Sequence, residues 1–171
     1  FLIPIFISHK YHEDFGYYHL PYLISLAEQK IIFGIANANI AYAHNSLWLN
    51  IGSIYLLPNN NFIFASLPTF LTYVCFILFG FKKNLELPKK KLSNYFLIIS
   101  LFYLIIKFTR LSEYGNDLPS TIFSILSIFY FLKFSETTNL EENKRFFFFN
   151  FIKINFCSVM TKWMQIILIY V

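Results

Sequence analysis

Apolar residues come in blocks along this chain, separated by short polar breaks, and the block lengths predict helices. Phe62 to Phe81 runs 20 residues without a charge. At 1.5 Å per residue that is enough to cross a hydrocarbon core of ~30 Å. Pro68 lies within the run and is expected to kink it. Leu92 to Thr109 predicts a second span, and Leu118 to Phe134 a third, slightly short one. Phe146 to Cys157 is a weaker candidate, because Asn150, Lys153 and Asn155 interrupt it. Gln165 to Val171 starts or continues another. Ser46 to Leu57 is apolar but only 12 residues long, and Pro58 followed by three asparagines stops it. It covers roughly 18 Å, too little to span, and is expected to lie along the membrane surface or dip into it.

The polar pattern is concentrated ahead of these blocks. Residues 1–8 read as the outer end of a first membrane helix, and residues 9–61 as an outer loop carrying short interfacial helices. Pro21 to Gln29 is one such helix, with proline near its first turn. Tyr11 to Trp48 holds an adjacent Glu13–Asp14 pair, His12, His19 and His44, and Asn37, Asn39 and Asn45, with His9 just before it. The chain begins at Phe1, without Met, inside an apolar run and ends at Val171 inside another. It is read as a single transmembrane domain over 1–171 that belongs to a longer chain or has been trimmed at both ends.

Composition supports a membrane scaffold. Hydrophobic residues make up 57% of the chain and charged residues 13%, about half the charge of an average soluble domain. The 23 phenylalanines fit both interfacial belts and the residue bias of an AT-rich genome. The fold class expected is therefore all-α, a polytopic transmembrane helix bundle with a long first extracytoplasmic loop. The net charge of +5 does not indicate nucleic acid. Lys82, Lys83, Lys89, Lys90 and Lys91 against Glu86, five charges less one, place +4 of it in one short loop between spans. Such a loop is a topogenic signal and is expected in the cytoplasm. The 9–45 segment and the loop from Arg110 to Pro119 then share the opposite, outer face. Glu13–Asp14 and RLSEYGND (Arg110 to Asp117), about a hundred positions apart, are expected to line one cavity. Cys75 and Cys157 lie in apolar blocks without a CxxC partner and read as structural thiols.

Asp14 is the first candidate for chemistry. A carboxylate just after a membrane helix suits a general base acting on a hydroxyl, or a ligand for Mg²⁺ or Mn²⁺; it equally suits a solvated loop charge. Arg110, at the outer end of a span, suits a phosphate ligand or a snorkelling side chain. Asp117 suits a second acidic group or a helix cap. His9 and His12 have i, i+3 spacing, but zinc needs at least three well-placed ligands. Nucleotide loops and serine-nucleophile signatures are absent from the sequence.

EDFGYYHLPY followed by GIANANIAYAHNSLW resembles the first outer loop of bacterial polytopic proteins with glycosyltransferase-C-like architecture. Those loops carry an acidic residue, a Tyr-His pair, a Gly-x-Ala-Asn run and an Asn-Ser-x-Trp. Here these fall on Asp14, Tyr18–His19, Gly34–Asn37 and Asn45–Trp48. The match covers roughly the first 60 residues. The resemblance implies inverting transfer of a sugar from a polyprenyl-phosphate donor on the outer face of a bacterial inner (plasma) membrane. Asp14 would be base or metal ligand, with Glu13 and Asp117 in support. Arg110, Tyr18, His19, Asn37, Asn45 and Trp48 would contact substrate. Trp48 also suits an interface anchor, and Asn37 and Asn45 suit turns. Two rivals stand beside this expectation: a transporter or flippase for lipid-linked glycans, and a non-catalytic membrane subunit that handles them.

Overall fold

A computed structural model describes residues 15–28, 37, 46–56, 62–86, 91–112, 115–136, 145 and 147–155. Every regular element among them is helical. A π-helical turn, Phe15–His19, leads into α1 (Leu20–Glu28), and α2 is Leu47–Leu56. A 3-10 turn, Phe62–Ser66, runs directly into α3 (Leu67–Glu86). The next helix, α4 (Leu92–Ile106), tightens into a 3-10 turn at Lys107–Ser112, and α5 is Asp117–Glu136. Three of these segments, Phe62–Glu86, Leu92–Leu111 and Asp117–Glu136, are long and apolar enough to cross a membrane. They are the three spans expected from the apolar blocks.

Proline acts differently from the expected kink. Pro68 is the second residue of α3, where its missing N–H costs no helical hydrogen bond. The irregularity is a change of helix type just before it, with the 3-10 turn continuous with α3.

The bundle turns many large apolar side chains outward and buries several small polar ones. Leu78, Ile99, Phe102, Ile106 and Phe131 point outward, whereas Ser93, Asn94, Ser100, Ser120 and Ser127 are buried. Lipid tails reward neither arrangement by hydrophobic burial, so small residues at helix contacts supply close packing instead. The buried core comprises Tyr73, Phe76, Leu97, Leu101, Leu104, Leu111, Leu118, Ile122, Ile125 and Phe129. Tyr73 crosses it, and its hydroxyl donates to the Leu104 carbonyl at 3.0 Å, close to where α4 tightens. A second, separate core of Tyr22, Leu23, Leu49, Leu56 and Ala65 joins α1 and α2 to the turn before α3.

The most crowded of the described glycines is Gly80. A Cβ built there would lie 2.6 Å from Leu101 Cδ2 and 3.0 Å from its Cγ. Leu101 is itself buried in the core, so it has little room to yield. Gly80→Ala should therefore loosen the α3–α4 contact and destabilise the bundle by about 1–3 kcal/mol, the usual cost of overpacking. Thermal unfolding in detergent measures it, and an unchanged midpoint would refute the tight contact.

One end of the bundle is rich in lysine. Lys83 pairs with Glu86 at 2.6 Å. Glu136, in the last turn of α5, accepts from the Ser93 backbone N–H at 2.7 Å and from its hydroxyl at 2.6 Å. Lys133 approaches the same carboxylate at 3.9 Å. A carboxylate at the end of α5 thus satisfies an orphan donor in the first turn of α4, the preceding helix, where the helix dipole also favours negative charge. Beyond α5, residues 147–155 are helical. Phe148 packs on Phe134 and Phe151 on Phe131, so this segment runs back antiparallel along α5.

The lysine-rich end is the one expected in the cytoplasm, and the turn Phe15–His19 belongs to the opposite end. In a background lacking Cys75 and Cys157, Tyr17→Cys should react with an impermeant thiol reagent from outside and Leu85→Cys should not. Both positions are exposed, so access is decided by sidedness. Labelling of residue 85 from outside would overturn the orientation.

Candidate functional site

The end opposite the lysines carries Arg110, Asp117, His19 and Trp48. The start of α5 is locally determined. Ser120 N–H donates to the Asn116 carbonyl at 3.1 Å, and the Ser120 and Thr121 hydroxyls donate to the Asp117 carbonyl at 2.9 and 2.8 Å. The Asp117 carboxylate stands in the first turn, where the helix dipole favours it. The 3-10 turn after α4 brings Arg110 back to it, with Nη1 3.9 Å from Oδ2. Leu111 and Leu118, the neighbours of this pair in sequence, are both buried in the bundle core. Apolar anchors thus hold the two charges at the rim. Their side chains are 42% and 65% exposed, so the pair contributes little stability and is open to a ligand.

The first loop docks on the same rim. Ser46 caps α2: its Oγ accepts the Trp48 N–H at 3.2 Å, the usual geometry of a serine N-cap. The same oxygen accepts Asn116 Nδ2 at 3.3 Å. Trp48 reaches between two spans. Its Nε1–H donates to Thr69 Oγ1 at 3.0 Å, and its ring meets Phe123 edge-on at 6.0 Å. His19, half-buried, comes close to Gly115: a Cβ at 115 would meet Nε2 at 3.7 Å. Burial pushes the neighbouring α1 phenol of Tyr22 above its usual range.

Of the predicted residues, Arg110, Asp117, His19 and Trp48 therefore meet at one rim. Trp48 is tied by its indole N–H and its ring edge, which makes it a clamp between the first loop and the spans. Tyr18 belongs to the π-helical turn before α1. Asn37 is exposed in helical backbone. Glu13, Asp14 and Asn45, with His9, His12 and His44, lie outside the described residues. Sequence reasoning missed Ser46, Thr69 and Asn116 as joints between the loop and the bundle. A serine just before a helical apolar run was the one available signal.

Among the described residues no group of three or more His, Cys, Asp or Glu is placed to hold a metal ion. Among the described residues the rim presents one carboxylate with a guanidinium against it. That pair by itself does not hold Mg²⁺ or Mn²⁺, which take several oxygen ligands; Asp14, the expected metal ligand, lies outside the described residues. A guanidinium and a carboxylate at a helix start can hold a phosphate and orient a hydroxyl.

Comparison with protein-family models, with curated proteins and with solved structures finds no match to this chain.

Proposed function

We propose that this protein is a membrane glycosyltransferase of glycosyltransferase-C-like architecture, transferring a sugar from a polyprenyl-phosphate donor on the extracytoplasmic face of a bacterial inner membrane. The observation that carries the reading is the exposed Arg110–Asp117 pair, at 3.9 Å, on the rim where the first-loop helices dock. Lipid phosphates lie at such a rim, and a guanidinium suits them.

In the proposed reaction an acceptor hydroxyl attacks the anomeric carbon of the donor sugar. Asp14 takes the hydroxyl proton, and the bond from the anomeric carbon to the phosphate oxygen breaks. The polyprenyl phosphate leaves with the electron pair, held by Arg110, and the anomeric configuration inverts. Asp117 orients Arg110 or the acceptor, and Glu13 supports Asp14. His19, Tyr18, Asn37 and Asn45 contact substrate, and Trp48 holds the loop in place.

The charge distribution favours this over a flippase. A carrier of charged headgroups places ionisable groups near mid-membrane. Between Thr69 and Gly80, Leu92 and Ile106, and Leu118 and Leu132, no residue is charged. The test is the purified full chain in liposomes with polyprenyl-phosphate sugars and candidate acceptors. Glycan product supports the enzyme. Translocation of the donor without product supports the flippase, and neither outcome supports a non-catalytic subunit.

A further inference from the structure

We infer that α2 is embedded in the lipid monolayer at the end of the bundle opposite the lysines, with acyl chains against its Leu47–Ile54–Tyr55 face. Two faces of this helix are distinguishable. Leu49, Gly52, Ser53 and Leu56 are buried. Leu47, Ile54 and Tyr55 are exposed, Ile54 by 61%, and their i, i+7, i+8 spacing makes one stripe. Leu47 to Leu56 contains no charged residue. Its polar groups are turned to internal use: Ser53 Oγ donates to the Asn50 carbonyl at 2.7 Å. A helix on an aqueous surface carries charged or polar residues on its outer face, and one apolar all round is buried in protein or lipid. Here the protein covers only one side.

The depth of α2 follows from what it packs on. A Cβ at Gly52 would lie 3.1 Å from the Ala65 carbonyl, and Trp48 reaches Thr69. Both contacts are with the first part of the span Phe62–Glu86. The charge-free run Phe62–Phe81 comprises a 3-10 turn rising ~2.0 Å per residue and a helix rising ~1.5 Å, together about 32 Å. That matches a hydrocarbon core of ~30 Å. With Lys82 and Lys83 at one boundary, Phe62 reaches the other. Phe62, Phe64, Leu71 and Leu78 on the same span are exposed as well. Ten residues of helix measure ~15 Å, half the core, so α2 occupies one leaflet. This placement stands apart from the transfer reaction, and it would bring the rim beside Arg110 and Asp117 to headgroup level.

The test uses the full chain in liposomes of phosphatidylcholine and phosphatidylglycerol, lacking Cys75 and Cys157. A nitroxide is attached in turn at Ile54→Cys and Leu47→Cys. Leu78→Cys, inside the charge-free run and 64% exposed, is the lipid reference, and Glu86→Cys the aqueous one. Collision with oxygen and with a water-soluble nickel chelate is then compared. Residues 47 and 54 should follow residue 78, with high oxygen and low nickel accessibility. Nickel accessibility like that of residue 86 would overturn the placement in favour of a solvated loop. Shielding from both reagents would overturn it in favour of a protein partner, such as a second copy. Agreement between two labelled positions guards against one label having displaced the helix.

Discussion

Asp14→Asn should keep the chain folded and inserted while the glycan product of the proposed reaction falls about 10²–10⁴-fold, the usual contribution of a general base. The amide matches the carboxylate in shape but cannot accept the acceptor's proton. The expectation has a geometric bound. Asp14 is five residues from His19, so their Cα atoms are at most ~18 Å apart. His19 in turn comes close to Gly115, in the loop between Arg110 and Asp117. Product formation by purified variant and parent, with thermal unfolding as the control for folding, measures the effect. Near-parental activity would sink the base assignment. Glu13→Gln should be milder, because adjacent side chains on one backbone point in different directions.

Asp117→Asn separates a working carboxylate from a structural one. Asparagine caps a helix about as well as aspartate. The lost ion pair with Arg110 is exposed on both sides and is worth at most about 1 kcal/mol. Thermal stability should therefore barely change. Activity should be largely lost if Asp117 belongs to the site, and retained if it only serves the start of α5. Arg110→Gln is the companion. Loss of the phosphate ligand should lower kcat as well as raise KM for the lipid donor, since negative charge grows on the leaving phosphate as its bond to the anomeric carbon breaks. Unchanged kinetics in both variants would remove the pair from the proposed site. A distance above about 20 Å between the Asp14 and Asp117 carboxylates, two screening lengths at ~0.1 M salt, would break the shared cavity and leave Asp14 alone.

The span helices were legible because each is a long apolar block bounded by charge or proline. Leu92 to Thr109 was expected, and α4 with its 3-10 extension covers it. Leu118 to Phe134 was expected, and α5 exceeds it by one residue at the start and two at the end. The short helices were legible too: Pro21 to Gln29 against Leu20–Glu28, and Ser46 to Leu57 against Leu47–Leu56. Pro68 was misjudged because a proline in an apolar run reads as a kink unless the helix start is known. The site was legible only as residue types at loop positions. His19 beside Gly115, Ser46 bonded to Asn116 and Trp48 bonded to Thr69 link positions 96, 70 and 21 residues apart, and no local pattern encodes such pairs.

Sequence alone determined that this chain makes apolar helices, how long they are and which loop is basic. Those properties follow from side-chain hydrophobicity and backbone rise, which act within one segment. Tertiary structure decided that Glu136 satisfies the start of α4, that Trp48 clamps α2 between α3 and α5, and that Arg110 meets Asp117 on the rim where the first loop docks. Those are pairings between segments. They depend on where Gly80 and the buried serines let helices approach, and on which orphan helix-end groups find partners across the gap.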